Sequence, residues 1–441
     1  MSNSPLSKTT GSLDIVSLVA KDGQEELVIR PVSFRRRLRR CLWHVLAREF
    51  TLLCVIGLRI TTWIGRRRPI DREGCEIMLT GRFDSDNWIL AHLGPLAASK
   101  KCTRVWMVST NPVPALPKVV AIYPPRWLMK VVGVTQARLL TFVWAAMRKR
   151  PHIVGGFHIM VNGITAIILG RLVGARSMYF CVGGPAEVYD GGIHSADSLF
   201  TKMETADAIV ESRLLRIAAA SDTIITMGSR AVSFFREKGI DTNFHVVSGG
   251  IDPIRFQPAE TPPSYDLILT GRLVEVKRID IFLQTVRRIV DRMPYIRAVI
   301  VGDGKSSNQL RSLSIDLGVD RNVDFVGHQD DVENWLRRAR VFVITSDSEG
   351  LALSMMEAMM CGLPAVVSEV GDLGDLVENG VNGYMVPRRS PGLFADRLGE
   401  LLSDARKLKA FSLAARRSAL RYETQAMIER WDSILANDRK S

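Results

Sequence analysis

Two glutamates have the residue type and spacing that point most directly to chemistry. Glu349 and Glu357 lie eight residues apart in the segment SDSEGLALSMMEAMMCGLPAVVS, the first beside Gly350 and the second in an apolar helical run. An ionised carboxylate accepts several hydrogen bonds, so the pair could hold the hydroxyl groups of a ligand. The preceding run VFVITS predicts a buried parallel strand. A strand, a glycine loop and a helix start together place backbone N–H groups against a phosphate or sugar oxygen. The alternative interpretation is two glutamates on the surface of a helix.

Two cations follow another predicted strand. Arg272 and Lys277 lie five residues apart in GRLVEVKRID, after the run DLILT. A planar guanidinium and a point charge near helix N-terminal amides could clamp a pyrophosphate. The alternative is a solvated basic turn. Two more strand exits carry a tight GDG turn starting at Gly302 and a Gly-His pair ending at His328, and a glycine turn lets the backbone approach a ligand closely.

These residues all belong to a regular alternation of strands and helices. Apolar strand-like runs and helical stretches alternate from Tyr265 to Leu402, and a second series begins near Cys75. Such alternation predicts parallel sheets covered by helices on both faces, with ligands at the carboxyl ends of the strands. The 441 residues exceed what one hydrophobic core usually supports. The expected fold class is therefore α/β with two Rossmann-like domains.

The motifs resemble those of a known family. GRLVEVKRID, VIVGDG, VDFVGH and SEGLALSMMEAMMCGLPAVVS, in this order, are similar to the C-terminal half of glycosyltransferase family 4 enzymes, over about residues 245 to 390. The resemblance implies the GT-B fold, in which two Rossmann-like domains face each other across a cleft. It also implies transfer of a hexosyl group from a nucleotide sugar to a hydroxyl acceptor, with retention of configuration.

The resemblance assigns roles to the residues already described. Arg272 and Lys277 would hold the donor diphosphate, with Glu349 on the sugar hydroxyls. Glu357 would bind the ribose. No side-chain nucleophile is required, because the protein can stabilise the leaving diphosphate and orient the acceptor on the same face of the sugar. The remaining donor-side positions are Gly302, His328, Gly350 and Leu351.

The N-terminal half departs from the family pattern. Relatives often carry a Gly-Gly loop after the first strand and a histidine after the strand written here MYFCV, whereas this chain has GRFDSDN and CVGGPAEVYDGG. His158, which ends HIVGGFH, is a catalytic candidate on the donor side. The alternative is a histidine at the end of a strand whose hydrogen bonds are satisfied within the protein. Glu187 and Asp190 are predicted to contact acceptor hydroxyls, with ordinary loop residues as the alternative.

Positive charge is concentrated before the first domain. The formal charge is +13, and residues 30–72 contain twelve arginines but only two acidic residues. In a helix of 100° per residue, five basic residues of this segment fall on one stripe. Such a helix is typical of an anionic membrane surface and not of nucleic-acid binding. A helix packed on the protein and a membrane span are the alternatives. The predicted stripe consists of Arg37, His44, Arg48, Arg59 and Arg66.

The expected domain order follows from these patterns. We predict a flexible tail over 1–29, a basic amphipathic segment over 30–70, and domains over 71–245 and 246–415. A C-terminal helix over 416–441 would return to the first domain. The six cysteines form no C-x-x-C pair and the histidines no cluster, so we expect a reduced, cytoplasmic protein with no metal or cofactor.

The expected function is glycosyl transfer at the inner face of a membrane. The enzyme would be peripherally bound and would act on a lipid-linked hydroxyl acceptor in surface polysaccharide or glycolipid synthesis. Two alternatives stay open. One is another sugar-nucleotide enzyme on the same fold, such as an epimerase or phosphorylase, and the other is a non-catalytic subunit.

Overall fold

The structure is a computed structural model that describes residues 15–21, 24–30, 33–61, 74–83, 85–195, 199–258 and 262–437. Its first elements are the antiparallel strands β1 (Ile15–Lys21) and β2 (Gln24–Arg30), followed by helix α1 (Phe34–Thr61). The prediction of a flexible tail over 1–29 is therefore wrong for the hairpin residues. The runs IVSLVAK and QEELVIR, both containing Val and Ile, flank an Asp-Gly pair, and this pattern is a hairpin signal in the sequence.

The N-terminal domain is built on a seven-stranded parallel sheet. Its strand order is β5-β4-β3-β6-β7-β8-β9, so the chain reverses direction across the sheet between β5 and β6. The strands are β3 (Cys75–Thr80), β4 (Cys102–Val108), β5 (Val119–Ile122), β6 (Ile153–Phe157), β7 (Arg176–Cys181), β8 (Thr223–Thr226) and β9 (Asn243–Val246). The helices are α2 (Asp86–Ala98), α3 (Arg126–Val132), α4 (Val134–Lys149), α5 (Ile164–Val173), α6 (Ala208–Ala219) and α7 (Ser229–Glu237).

Both faces of this sheet are buried, as parallel strands require. Ile77 and Leu79 of β3 pack with α2 on one face. Met78, between them, packs with α4 and α5 on the other face, where Tyr179 of β7 packs with α5 and α6. The same alternation thus fixes which helices share a side of the domain.

Helix α1 packs on α5 and α6, which cover this second face, through small and apolar residues such as Ala47 and Leu58 and through two polar side chains beside them. His44 Nδ1 lies 2.7 Å from Asp207 Oδ2, and Arg48 Nε donates to the same oxygen at 2.9 Å. Asp207 also caps α6, and its side chain is fully buried. The predicted stripe of membrane-facing cations is therefore wrong for His44 and Arg48, while Arg66 lies outside the described residues. A carboxylate distant in sequence binds the polar side of α1, so its aliphatic face is turned outward.

The proline-rich segment over 111–128 is more ordered than a loop. Strand β5 pairs in parallel with β4, and α3 begins directly after two prolines. Its position at the sheet edge explains why a strand of four residues between prolines is tolerated.

The C-terminal domain has a six-stranded parallel sheet in the order β12-β11-β10-β13-β14-β15. Its strands are β10 (Tyr265–Thr270), β11 (Ala298–Val301), β12 (Val323–Gly327), β13 (Ala339–Ile344), β14 (Ala365–Ser368) and β15 (Gly383–Val386). The helices are α8 (Ile279–Val290), α9 (Ser307–Asp316), α10 (Val332–Leu336), α11 (Leu353–Met360), α12 (Pro391–Ser403), α13 (Ala405–Ala419) and α14 (Thr424–Asn437).

Two sets of contacts join the domains. Helix α14 packs on α2, where Asp432 Oδ1 accepts hydrogen bonds from Ser99 Oγ at 2.6 Å and from Lys100 N at 2.8 Å. On the other side, Asp372 and Asp375 of the C-terminal domain accept hydrogen bonds from amides at the start of α7. Carboxylates at a helix N-terminus are stabilised by its dipole. The carboxyl ends of the two sheets therefore approach each other across a cleft.

Candidate active site

Three of the predicted donor residues meet at the ends of two adjacent strands. Arg272 and Lys277 follow β10, Glu349 follows β13, and all three line one small pocket. Strands β10 and β13 are hydrogen-bonded neighbours, so their exits share one edge of the sheet. The other lining residues are Leu269, Thr270, Gly271, Ile344, Thr345, Ser346 and Ser354.

An ion pair lies across this pocket. Lys277 Nζ is 2.6 Å from Glu349 Oε1, and Ser346 Oγ donates to the same carboxylate oxygen at 2.5 Å. The side chains leave about 10 Å³ between them. Arg272 is exposed, and the described part of the chain shows no ion pair for it. The pocket therefore combines a paired cation with one that is open to a ligand.

Arg278, the next basic residue, has a structural role. Its guanidinium forms ion pairs with Asp280 at 2.6 Å and with Asp347 at 3.4 Å. These carboxylates, Asp280 first, together raise the pKa of Arg278 above its usual range. Asp347 also pairs with Arg389 at 2.7 Å. These contacts hold the turn that presents Lys277.

Glu357 is buried in the adjacent helix without a described partner. It lies one turn beyond Ser354 in α11, and only 6% of the residue is exposed. No hydrogen-bond donor contacts its carboxyl group among the residues that the structure describes. Burial raises the pKa of Glu357 to about 8, against the opposing effect of Arg255. A buried carboxyl group without donors is costly to ionise, and a ligand with hydroxyl donors would remove that cost.

The glycine positions serve close backbone packing. Gly302 has a φ of +142°, and a Cβ there would lie 1.9 Å from the carbonyl oxygen of Gly271. A Cβ on Gly350 would lie 2.8 Å from the carbonyl oxygen of Val182 in the other domain. Gly302 thus lets the exits of β10 and β11 meet, and Gly350 lets the Glu349 loop touch the N-terminal domain. Leu351, the next residue, is buried.

His328 lies apart from the pocket. It follows β12, the edge strand of the sheet, and its side chain is largely exposed beside Asp330, with Nε2 and Oδ1 3.3 Å apart. It is absent from the pocket lining. The structure therefore does not bring His328 together with Lys277 and Glu349.

Glu187 is not available to an acceptor hydroxyl. It is 1% exposed, and its carboxylate accepts hydrogen bonds from Tyr179 Oη at 2.8 Å, Ile159 N at 2.7 Å and Gly183 N at 2.6 Å. The ring of His158 provides a fourth contact at 2.9 Å. Burial by itself would raise the pKa of Glu187, but His158 and the two amides lower it below the usual range. The predicted acceptor contact is therefore wrong, because four donors fill this carboxylate inside the domain.

His158 is held rigidly near the cleft. Its φ is +64°, uncommon for a residue with a side chain, and its amide donates to Phe180 O at 2.9 Å. Glu187 binds both His158 and Gly183, which lies one residue after the Val182 carbonyl that faces Gly350. A short series of contacts therefore connects His158 with the Glu349 loop of the other domain.

Asp190 lies further from these contacts. Its carboxylate is 2.8 Å from His194 Nε2, and its amide donates to Glu211 Oε2 at 2.8 Å. Its φ is +55°. Asp190 is partly exposed on the loop that follows β7, so it stays a candidate for an acceptor contact.

Two residues of the pocket were missed by the sequence patterns. Thr270 ends β10 in the pocket lining, and its buried hydroxyl has no described partner. Ser346, at the end of β13, orients Glu349. Hydroxyl residues at the last position of a buried strand are the signal that could have found both.

No metal site is visible in the described part of the chain, where no three His, Cys, Asp or Glu residues cluster. A larger cavity of about 320 Å³ lies elsewhere, between α1, α5 and α6. Its arginines, Arg59, Arg171 and Arg216, each lie in the last turn of one of these helices. Cations complement helix C-termini, so this cavity has a structural explanation.

Comparisons with known proteins agree with the geometry of the pocket. Residues 264–404 match the family described as Glycosyl transferases group 1. A D-inositol 3-phosphate glycosyltransferase from Streptomyces bingchenggensis (strain BCW-1) is 30% identical over 229 residues, 47% of this chain and 50% of that protein. A poly(ribitol-phosphate) alpha-N-acetylglucosaminyltransferase from Staphylococcus aureus (strain COL) is 27% identical over 163 residues, 36% of this chain and 33% of that protein. The chain thus spans half or less of the length of these curated relatives.

Solved structures resemble a larger part of the chain. Anabaena HepE in complex with UDP-glucose superposes with a TM-score of 0.65 at 16% identity, covering 82% of this chain and all of that one. The lipopolysaccharide outer core galactosyltransferase WaaB gives a TM-score of 0.57 at 16% identity, covering 82% of this chain and 99% of that one. The chain therefore has the GT-B fold, and residues 264–404 are the part of it that matches the group 1 glycosyl transferases.

Proposed function

We propose that this protein is a retaining glycosyltransferase that transfers a hexosyl group from a nucleotide sugar to a hydroxyl acceptor. The observation that carries this proposal is the meeting of Arg272, Lys277 and Glu349 in one pocket at the strand ends. Glu357 lies in the helix that begins beside this pocket. The pocket thus offers cations for a diphosphate and carboxylates for hydroxyl groups.

The donor would enter by separating the ion pair across the pocket. A diphosphate can replace Glu349 as the partner of Lys277, which frees the Glu349 carboxylate for the sugar hydroxyls. Arg272 adds a second, planar contact to the diphosphate. Glu357 would accept hydrogen bonds from the ribose. Binding thus converts an internal pair into two contacts with the donor.

The transfer step needs no protein nucleophile. The cations stabilise the negative charge that develops on the leaving diphosphate. The acceptor hydroxyl attacks the anomeric carbon from the face that the diphosphate leaves, and a leaving phosphate oxygen takes its proton. This gives retention of configuration. His158, held by Glu187, would contact the donor sugar from the N-terminal domain.

The acceptor is proposed to be lipid-linked and to reach the enzyme at the cytoplasmic surface of a membrane. Helix α1 is the one described helix long and apolar enough to cross a membrane, yet its polar side is bound to Asp207. Its aliphatic residues, including Leu42, Leu53 and Ile60, are exposed. These contacts favour a helix that lies on the bilayer with its apolar face inward. The names of two relatives include a phosphorylated compound, inositol 3-phosphate in one and poly(ribitol-phosphate) in the other.

Donor screening tests the activity. We expect one of the UDP, GDP or ADP sugars to raise the melting temperature and to be consumed only when an acceptor is present. Product formed from the donor alone would instead indicate an epimerase, and binding without any turnover would indicate a non-catalytic subunit. Glu349→Gln should retain nucleoside diphosphate binding and lose transfer, because its proposed contact is with the sugar. Lys409→Ala, an exposed lysine on α13, is the control.

Flotation on vesicles tests the membrane contact. Leu53→Glu changes an outward residue of α1 that is 65% exposed and should reduce flotation severalfold without unfolding the domain. Leu413→Glu changes a residue of α13 that is 64% exposed and serves as the matched control. Equal flotation of both variants and the wild type would contradict the interfacial position of α1. Resistance to alkaline carbonate in all three would indicate a membrane span.

A further inference from the structure

A buried arginine in the N-terminal domain has no counter-charge among the residues that the structure describes. Arg138, in the first half of α4, is 4% exposed, and its Nη1 donates to Thr80 Oγ1 at 2.8 Å. A guanidinium has five N–H donors, and this is its one hydrogen bond within the described residues. No described carboxylate contacts it. A buried, unpaired charge of this kind costs several kcal/mol in general, so its presence calls for a ligand.

A second cation, Arg82, acts on Arg138. Burial, and then the neighbouring Arg82, lower the pKa of Arg138 to about 10. Residues 87–186 include twelve Lys and Arg but not one Asp or Glu. The helix itself therefore offers no acidic side chain that could neutralise the guanidinium.

The position of this cluster connects it with the cleft. Thr80 is the last residue of β3, and it pairs with Gly156 of β6, two residues before His158. Both strand exits lie at the carboxyl edge of the sheet, which faces the donor domain. Arg82, two residues beyond Thr80, is exposed. A ligand that enters from solvent would contact the exposed Arg82 before it reaches the buried Arg138.

We propose that Arg138 and Arg82 form a site for a phosphoryl group carried by the acceptor. A planar guanidinium can bind two phosphate oxygens at once, and the partly desolvated site strengthens that contact. The identification of the phosphate with an acceptor rests on the proposed function, whereas the anion site itself does not.

Thermal unfolding in phosphate tests the site without any transfer reaction. The donor pocket also attracts phosphate, so the measurements are made in a Lys277→Ala background. Inorganic phosphate should raise the Tm by several degrees above sodium chloride of equal ionic strength. Arg138→Met, which keeps the volume but removes the charge, should abolish this increase. Arg148→Met changes an exposed arginine of the same helix and should retain it.

Three outcomes decide the proposal. An equal phosphate effect in Arg138→Met and Arg148→Met would overturn it, and so would no effect in the parent protein. Loss of the effect in Arg138→Met alone supports it, even if no donor sugar is ever transferred. Glycerol phosphate and phosphatidic acid vesicles then distinguish a soluble phosphate ester from a lipid headgroup. Arg138→Met should weaken binding of the favoured ligand at least tenfold.

A second, independent observation concerns the outer surface of α3 and α4. Helix α3 has no buried residue, and Trp127 and Val131 on it are more than half exposed. On α4, the residues Leu140, Trp144 and Met147 follow a helical spacing of four and three and are equally exposed. A continuous apolar surface therefore covers two successive helices.

The charge around this surface indicates its partner. The segment 126–150 carries basic residues at both ends and no acidic residue. Helices α4 and α5 cover the same sheet face, and α1 packs on α5, so the surface lies on the same side of the domain as the exposed residues of α1. Tryptophan is enriched at membrane–water interfaces, and basic residues bind anionic headgroups. We infer that α3 and α4 form a second contact with an anionic bilayer.

Vesicle flotation of two variants tests this second contact. Trp127→Glu and Trp144→Glu should each reduce binding to vesicles with phosphatidylglycerol, additively with Leu53→Glu in α1. Tyr295→Glu changes an almost fully exposed aromatic residue of the other domain and should have no effect. Unchanged flotation of both tryptophan variants would overturn the inference. It would also be overturned by a dimer in light scattering that either tryptophan variant dissociates, because a second copy would then cover this surface.

Discussion

Glu187 and Glu357 are both almost fully buried, one in each domain, yet their surroundings are opposite. Glu187 accepts four hydrogen bonds, and its pKa lies below the usual range. Glu357 has no described hydrogen-bond donor, and its pKa is raised to about 8. The carboxylate of Glu187 is satisfied by its own domain, whereas the described part of the chain offers no donor to the carboxyl group of Glu357. Burial of a carboxylate alone therefore does not identify a binding residue. A buried carboxyl group that lacks internal hydrogen-bond donors is the better indication.

This contrast divides the work between the domains. In the C-terminal domain the strand exits carry the Lys277–Glu349 ion pair and the exposed Arg272. In the N-terminal domain Glu187 fixes the position of His158 and the Gly183 turn. We therefore expect changes at Glu187 to act on stability and changes at Glu357 to act on binding.

The largest effect is expected for Glu187→Ala. The substitution leaves Tyr179 Oη and two amides without their acceptor inside the domain, so unfolding should become easier by about 3–5 kcal/mol. Urea denaturation measures the loss. The pKa of Glu187 is lowered in the folded state, so its contribution to the free energy of unfolding is fully present above the pKa of the unfolded chain. This contribution is lost as the pH falls from the unfolded pKa to the folded pKa. A variant as stable as the wild type at pH 7 would remove the distinction between the two carboxylates.

Lys277→Ala should weaken donor binding by about 1.5–3 kcal/mol, since one charge-assisted contact with the diphosphate is lost. Calorimetry with the nucleoside diphosphate measures the change. Transfer should fall with binding, and stability should change little because Lys277 is partly exposed. Unchanged affinity would contradict the assignment of the pocket.

The affinity for a nucleoside diphosphate should depend on pH through Glu357. The free carboxyl group, with its pKa raised to about 8, must lose its proton before it accepts both ribose hydroxyls. Affinity should therefore rise roughly tenfold, about 1.4 kcal/mol, per pH unit as pH increases toward 8. Calorimetry in buffers of different ionisation enthalpy should show proton release. Glu357→Gln should lose this part of the pH dependence, and equal profiles would argue against the ribose contact.

The smallest effect is expected at the surface contact between α1 and the loop before α6. Arg36 Nε lies 2.9 Å from Glu204 Oε2, with both side chains partly exposed. Arg36→Ala should cost less than about 1 kcal/mol, because exposed ion pairs contribute little. His44→Ala, which removes a contact with buried Asp207, should cost more. Thermal unfolding of the two variants compares them, and a reversed order would show that the buried carboxylate does not anchor α1.

The donor pocket was largely predictable from the sequence. Strand and helix periods define the parallel sheet, and parallel strands end at one edge, so residues after β10 and β13 had to meet. Arg272, Lys277 and Glu349 therefore form the predicted cluster. His328 does not join it, because the position of β12 at the edge of the sheet depends on strand order, which local patterns leave open.

The sequence by itself determined the α/β class, the two domains and the donor motifs, because these depend on spacing along the chain. The tertiary structure decided which side of α1 faces outward, since Asp207 lies far from His44 in sequence. It also turned Glu187 inward and left Arg138 without a counter-charge within the described part of the chain. Each of these outcomes depends on whether a distant donor or acceptor reaches a buried charge, and only the folded arrangement of the elements determines that.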